Sequence, residues 1–183
     1  RLGFPLIVKS LIYESSIGIS QNSVVASEDQ LNKRVQFVHD TIGTAAIVEQ
    51  FIDGRELYAG VLGNDRLRVF PVWEMSFAKM PENTWHIATE RVKWSTKYQE
   101  KHGIDTGEAA LTYGAASRVQ HLAKRVFRAL DLTGYARIDL RMAADGRLFV
   151  IEANPNPQLA QGEDFAQSAK LAKVSYGELL DRI

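Results

Sequence analysis

The sequence predicts an α+β fold with a largely antiparallel sheet flanked by helices, and three observations carry that expectation. Strand-like segments outnumber helical ones. They follow one another as hairpins through short turns such as Asp53-Gly54, Gly63-Asn64-Asp65 and Asp145-Gly146. One long segment repeats its apolar residues at helical spacing. The 183 residues suffice for one ordinary domain, or for two small lobes sharing a core. A composition of 45% hydrophobic and 24% charged residues excludes wholesale disorder. Lysine plus arginine (22) offsets aspartate plus glutamate (22), so bulk charge gives no support to binding of nucleic acid or an anionic membrane. The absence of cysteine excludes disulfides, thiolate catalysis and thiolate zinc sites. No apolar run approaches the ~18–20 residues of a membrane span. The segment Arg1-Leu2-Gly3-Phe4-Pro5 carries neither an initiator Met nor a signal-peptide pattern and runs at once into a strand. The chain is therefore expected to be part of a longer, cytoplasmic protein.

Along the chain, Leu6-Ile7-Val8 reads as a buried strand, residues 10–18 as a polar loop and residues 19–25 as a second strand. Ser27-Glu28-Asp29-Gln30 is a capping box, opening a helix with Leu31, Val35 and Val38 on one side that ends near His39. Residues 45–52, 55–62 and 67–73 read as strands separated by turns. Residues 74–111 are polar and irregular, with a short strand expected over 85–92, and loops of such length are often functional. Val119, Leu122, Ala123, Val126, Phe127 and Leu130 place a sheet-covering helix over 114–130. Strands over 135–142 and 147–153 follow, and Ser175-Tyr176-Gly177-Glu178 is a second capping box opening a terminal helix.

Asp145-Gly146 between two alternating strands is a strong hairpin signal. With these as the two central turn residues, Asp139 lies opposite Glu152 and Arg137 opposite Asn154, all four on one face. The other face carries Ile138, Leu140, Met142, Phe149, Ile151 and Ala153. Facing like charges destabilise a strand pair, and a hard cation relieves that repulsion. Carboxylate and amide oxygens suit magnesium, which keeps sites for water and phosphates. Arg137 beside them is suited to phosphoryl oxygens or a developing oxyanion. The bland alternative is an exposed polar face on which Arg137 and Arg141 neutralise the acids. The rigid Asn154-Pro155-Asn156-Pro157 segment then leaves the sheet where a substrate loop could begin.

Arg137-Ile138-Asp139 followed by Glu152-Ala153-Asn154 resembles the magnesium-binding hairpin of the ATP-grasp superfamily, in its D-alanine–D-alanine ligase-like, carboxylate–amine ligase branch. Other segments are similar to that family in the same order. Gly3-Phe4-Pro5-Leu6-Ile7-Val8-Lys9 looks like the strand ending in an ATP-contacting lysine, and Glu14-Ser15-Ser16-Ile17-Gly18 like the phosphate-covering loop. Glu49-Gln50-Phe51-Ile52 with Asp53-Gly54-Arg55-Glu56 looks like the adenine hinge and the ribose-binding glutamate. Each string alone is weak; the ordered set is specific. The resemblance implies an ATP-grasp-type fold of two small lobes with nucleotide between them. Residues 1–183 would be the C-terminal part of that domain, its substrate domain and the start of the ATP-grasp lobe lying outside.

The resemblance further implies ATP contacts from Lys9, Ser15, Ser16, Glu49, Gln50, Ile52, Glu56 and Lys93, with Lys97 competing for the last role. Magnesium, with manganese as a substitute, would be held by Asp139, Glu152 and Asn154, and Arg137 would be catalytic. Each contact has a physical reading beside a bland one. Lys9 is a point charge suited to phosphate, or else a solvated lysine. Ser15 and Ser16 offer hydroxyls and backbone donors, or form an ordinary loop. Main-chain groups of Gln50 and Ile52 can pair with an adenine edge, or belong to an edge strand. Glu56 can accept from both ribose hydroxyls, or is a surface acid. Glu14 departs from the family, which more often has glycine there, and the Asn154-Pro155-Asn156-Pro157 segment fits ligase-like relatives better than D-alanine ligases. The expected function is an ATP-dependent ligase joining small-molecule carboxylate and amine substrates through an acyl phosphate, without nucleic acid or membrane. A non-catalytic nucleotide-binding or regulatory module is the alternative, and the oligomeric state is open, a homodimer being one option. No other phosphate loop, dinucleotide fingerprint or serine elbow is present. His39, His86, His102 and His121 show no metal-ligand spacing, and Trp73, Trp85 and Trp94 are expected to pack.

Overall fold

The alternation of Leu6–Ser10 makes this segment β1, the centre of a three-stranded antiparallel sheet. The structure is a computed structural model describing residues 2–13 and 16–183. Its chain divides into two units, Arg1–Asp53 with Phe77–Ile104, and Gly54–Ser76 with Asp105–Ile183.

In the first unit β1 lies between β2 (Val24–Val25) and β3 (Ala46–Gln50). Leu6 and Val8 are buried with Val25 and Val38, against Leu31 and Val35 of α1 (Glu28–Phe37). The capping box forms with one change: Ser27 Oγ accepts from Gln30 N at 3.3 Å, but the Gln30 side chain reaches past Ser27 to Ala26 N, at 2.8 Å. Past Phe37 a π turn, Val38–Ile42, finishes the helix. The strand expected over 19–25 shrinks to β2, because Gln21–Ser23 closes into a 3-10 turn with Ser23 Oγ accepting from Ser20 N. The strand expected over 85–92 is absent. Thr89 and Ser95 instead accept from the backbone N–H of Val92 and Tyr98, opening α2 (Glu90–Trp94) and α3 (Thr96–His102). Trp85 packs edge-to-face on Phe51, with centroids 5.0 Å apart, whereas Trp94 is 69% exposed, against the expectation that all three tryptophans pack.

The second unit is built on a larger sheet. β4 (Arg55–Leu62) pairs with β8 (Tyr135–Met142) along its whole length, and the strand order is β7-β6-β4-β8-β9. The remaining members are β5 (Arg68–Val69, beside β4), β6 (Trp73–Phe77), β7 (Ile104–Glu108) and β9 (Leu148–Asn154). The single strand expected over 67–73 divides into β5 and β6 around Pro71, which has no N–H to give a ladder. One sheet face is apolar: Leu57, Ala59 and Val61 of β4 and Ala136, Ile138 and Leu140 of β8 are fully buried with Val119, Ala123 and Phe127 of α4 (Tyr113–Ala129). Burying a side chain of this kind contributes about 1.5–3 kcal/mol. Thr112 caps α4 by accepting from Ala115 N. At one end of the other face, Leu62 lies beneath α5 (Asp164–Leu171) and α6 (Tyr176–Asp181), in a cluster with Phe70, Phe165 and Leu179. The rest of that face is polar.

The β8–β9 hairpin corrects the expectation in detail. Its loop has three residues, since Ala143 and Arg147 pair and Gly146, at φ 79°, occupies the left-handed position that favours glycine. Next to the loop Met142 faces Leu148, Arg141 faces Phe149 and Leu140 faces Val150. A bulge at Ile151 then shifts the register, so that Asp139 faces Glu152 and Arg137 faces Asn154. The longer loop and the extra bulge residue cancel. They break the predicted apolar set: Phe149 shares the face of Arg141, and Val150 and Ile151 are 43% and 40% exposed on the edge strand.

Candidate active site

On the polar face of the second unit's sheet, antiparallel register sets three rows side by side: Glu56 and Tyr58 on β4, Arg141, Asp139 and Arg137 on β8, and Glu152 and Asn154 on β9. Asp139 lies between Tyr58 and Glu152 as direct neighbours. Arg137 grips Asp139 with two bonds, Nε to Oδ1 at 2.7 Å and Nη2 to Oδ2 at 2.8 Å, a fork geometry that lysine cannot supply. Its guanidinium stands 4.7 Å above the Tyr58 ring. The Tyr58 hydroxyl donates to Glu56 Oε1 at 2.8 Å, and Arg141 Nη2 donates to Glu56 Oε2 at 2.7 Å. Arg141 also donates to Gly54 O. At Gly54, φ 151°, a side chain would meet Met142 O at 2.2 Å, so glycine lets β4 start this close to β8.

The electrostatics follow from burial. Asp139 is 7% exposed, and burial pushes its carboxyl up to about 6, against the pull of Arg137 and with the added repulsion of Glu152 and Glu56. Burial pushes the Arg137 guanidinium down, but its bonds to Asp139 outweigh that and leave it raised. Burial also raises the Tyr58 phenol well above its ordinary value, with Glu56 and Asp139 adding to the effect. Glu152 is exposed on the edge strand. Asn154 Oδ1 accepts from Asn156 N at 2.9 Å, so the Asn-Pro-Asn-Pro segment begins with a turn that fixes the Asn154 amide.

Two carboxylates and an amide oxygen on one face form a hard-oxygen donor set, with free lone pairs on each, and so fit a magnesium ion. Among the described residues no three His, Asp or Glu side chains group as a metal site, and the candidate set has two acids and one amide.

The remaining candidates lie in the first unit. Lys9 forms an ion pair with Glu49, two expected ATP contacts that neutralise each other here, both partly exposed. The Gln50 side chain accepts from Gly3 N and donates to Pro5 O, bracing the chain entering β1. Ile52 follows β3 and is half-buried. Ser16 O accepts from Ile19 N at 2.9 Å, while Ser15 and Glu14 lie outside the described residues. Arg34 Nη2 holds the stretch after this loop by donating to Gly18 O and Ser23 Oγ. Lys93 is half-buried on α2 and Lys97 exposed on α3. Sequence reasoning missed Tyr58 and the pairing of Arg141 with Glu56. The signal was present: Glu56 and Tyr58 are polar residues two apart in a strand whose other residues beyond Arg55 are apolar.

The family model described as D-ala D-ala ligase C-terminus matches residues 1–183. The D-alanine–D-alanine ligase of Desulfotalea psychrophila is 34% identical over 182 residues, covering 100% of this chain and 53% of its own length. The D-Ala:D-Ser ligase VanG of Enterococcus faecalis superposes with a TM-score of 0.76 at 23% identity, over 100% of this chain and 49% of that one. The D-alanine–D-alanine ligase of Bacillus anthracis, solved in complex with ATP, gives 0.73 at 23% identity, over 99% and 51%. These structures share the fold, and the chain spans about half the length of the curated relatives it matches. No helix among the described residues is long and apolar enough to cross a membrane. With its α+β architecture and its whole length matched, the chain belongs to the family of D-Ala-D-Ala ligase C-terminal domains, the ATP-grasp branch that its motifs resemble.

Proposed function

We propose that the chain is the nucleotide- and metal-binding C-terminal part of an ATP- and magnesium-dependent carboxylate–amine ligase acting in the cytoplasm. The observation that carries this reading is the facing pair Asp139 and Glu152 beside Arg137, in a chain whose relatives are D-alanine–D-alanine ligases. A substrate carboxylate oxygen attacks the γ-phosphorus of ATP, the bond to ADP breaks, and an acyl phosphate results. An amine nitrogen then attacks the acyl carbon and phosphate leaves. Asp139, Glu152 and Asn154 would hold magnesium, or manganese in its place, which supplies charge compensation to the phosphates. Arg137 would stabilise the transferring phosphoryl group and the tetrahedral oxyanion. Glu56 would accept from the ribose hydroxyls, and main-chain groups of Gln50 and Ile52, with the Glu49 carboxylate, would take the adenine edge. Lys9, Ser15, Ser16 and Lys93, or Lys97 in its stead, would contact phosphate. For Lys9 this requires exchanging Glu49 for phosphate. Amino acids or peptide-like molecules are the proposed substrates.

The test is ADP release by the full-length protein across a panel of L- and D-amino acids as carboxylate and amine. The reading predicts release that needs both magnesium and a substrate pair. Magnesium–ATP binding without turnover across the panel would overturn it in favour of a non-catalytic module.

A further inference from the structure

Tyr58 has no part in the reaction as derived, yet it occupies the middle of the polar face. It is 4% exposed and its antiparallel neighbour is Asp139. Its two ends do different things. The hydroxyl donates to Glu56 Oε1 at 2.8 Å, while Arg141 takes Glu56 Oε2, so both carboxylate oxygens are engaged and the side chain is fixed. The ring face lies beneath Arg137, with 4.7 Å from the guanidinium carbon to the centroid, on the arginine that grips Asp139. Phenylalanine would keep the ring under Arg137 and lose the hold on Glu56; leucine would lose both. No aliphatic residue could do both jobs, because one side chain must present a π-face and a donor at once. A core tyrosine needs only one acceptor, and this one is tied to the two charged groups flanking it on either side of the same face.

We infer that Tyr58 is a positioning residue that locks the sugar-binding carboxylate Glu56 and the phosphoryl-stabilising Arg137, with the Asp139 it grips, into one rigid unit. This rests on the proposed function, and it divides the effects of substitution by end. Tyr58→Phe loosens Glu56 alone. Affinity for magnesium–ATP should fall about 5–10-fold, discrimination against 2′-deoxy-ATP should shrink by a similar factor, and kcat should stay within about 2-fold, as expected for one lost charge-assisted hydrogen bond. Tyr58→Leu also removes the support of Arg137, and kcat should drop a further 10-fold or more.

The experiment is calorimetric titration of the full-length wild type, Tyr58→Phe and Tyr58→Leu with magnesium–ATP and magnesium–2′-deoxy-ATP, alongside steady-state kinetics and thermal unfolding. A wild type that turns over ATP while Tyr58→Phe keeps its affinity and discrimination would overturn the inference. So would losses of affinity and kcat that run parallel in both variants and track a lowered unfolding temperature, since a merely structural tyrosine behaves so. A wild type that binds nucleotide without turnover sinks the ligase reading instead, and the discrimination ratio in Tyr58→Phe still tests the hold on Glu56.

Discussion

The two units carry their charged candidates in different ways. In the first, Lys9 and Glu49 meet on a small sheet with both side chains partly in solvent. In the second, Arg137, Asp139, Arg141 and Glu56 lie low on a large sheet, each with a defined partner and each bonded through two atoms. A partly exposed pair contributes little and can exchange partners cheaply, as the phosphate contact proposed for Lys9 requires. A buried pair stabilises little relative to apolar residues but is costly to break, which fixes geometry. The fold thus keeps its pre-set geometry in the second unit and its exchangeable charge in the first.

The largest effect that would break this contrast is the loss of one partner in each pair. Arg137→Met strands a buried carboxylate and should cost about 3–5 kcal/mol, whereas Lys9→Met should cost less than about 1 kcal/mol. Urea unfolding of both variants measures the difference, and equal costs would erase the distinction.

A smaller effect sharpens it through pH. Asp139 titrates at about 6 when folded against an ordinary 3.8, so the folded state holds the proton more tightly than the unfolded chain. Its contribution is fully present below about pH 3.8 and is lost as pH rises through 6, an effect on the order of 3 kcal/mol at most. Stability measured in chelator should therefore fall from this group between pH 4 and 6, and Asp139→Asn should remove that slope. A profile unchanged by the substitution would show that burial does not set the carboxyl. Lys9→Met should leave the slope as it is.

Smaller still is the hairpin that aligns the acids. Gly146→Ala puts a side chain at φ 79° and should cost about 1–2 kcal/mol in thermal unfolding. A neutral outcome would mean that the three-residue loop does not set the register.

Of this contrast, the second unit's shared face was legible in the sequence and the Lys9–Glu49 pair was not. Alternation placed Asp139, Glu152, Arg137 and Asn154 on one face, because a buried apolar side fixes strand register. The route was less secure than its end. A two-residue turn and a regular ladder gave the right partners only because a three-residue loop and a bulge at Ile151 offset each other. Bulges leave no periodic trace, so alternation alone puts Phe149 and Ile151 on the apolar face. The segment 74–111 was opaque for another reason. α2 and α3 have five and seven residues, too short for a helical repeat, and their signal is only the capping Thr89 and Ser95. α5 starts without a side-chain cap and so carries no start signal. The Glu56–Arg141 pair depends on which strands are neighbours, which a hairpin reading supplies for β8 and β9 but not for β4 and β8.

The central claim is that Asp139 and Glu152 face each other to hold a cation rather than to hold the fold. Its most direct test is Glu152→Gln in the full-length protein, with manganese and ATP binding followed by calorimetry and unfolding followed in chelator. Glutamine keeps the size and one oxygen but removes the repulsion of Asp139. The account predicts metal affinity in the presence of ATP reduced tenfold or more, with a metal-free unfolding temperature unchanged or slightly higher. Unaltered metal affinity, or a metal-free protein that unfolds far earlier, would contradict it and make Glu152 a structural acid.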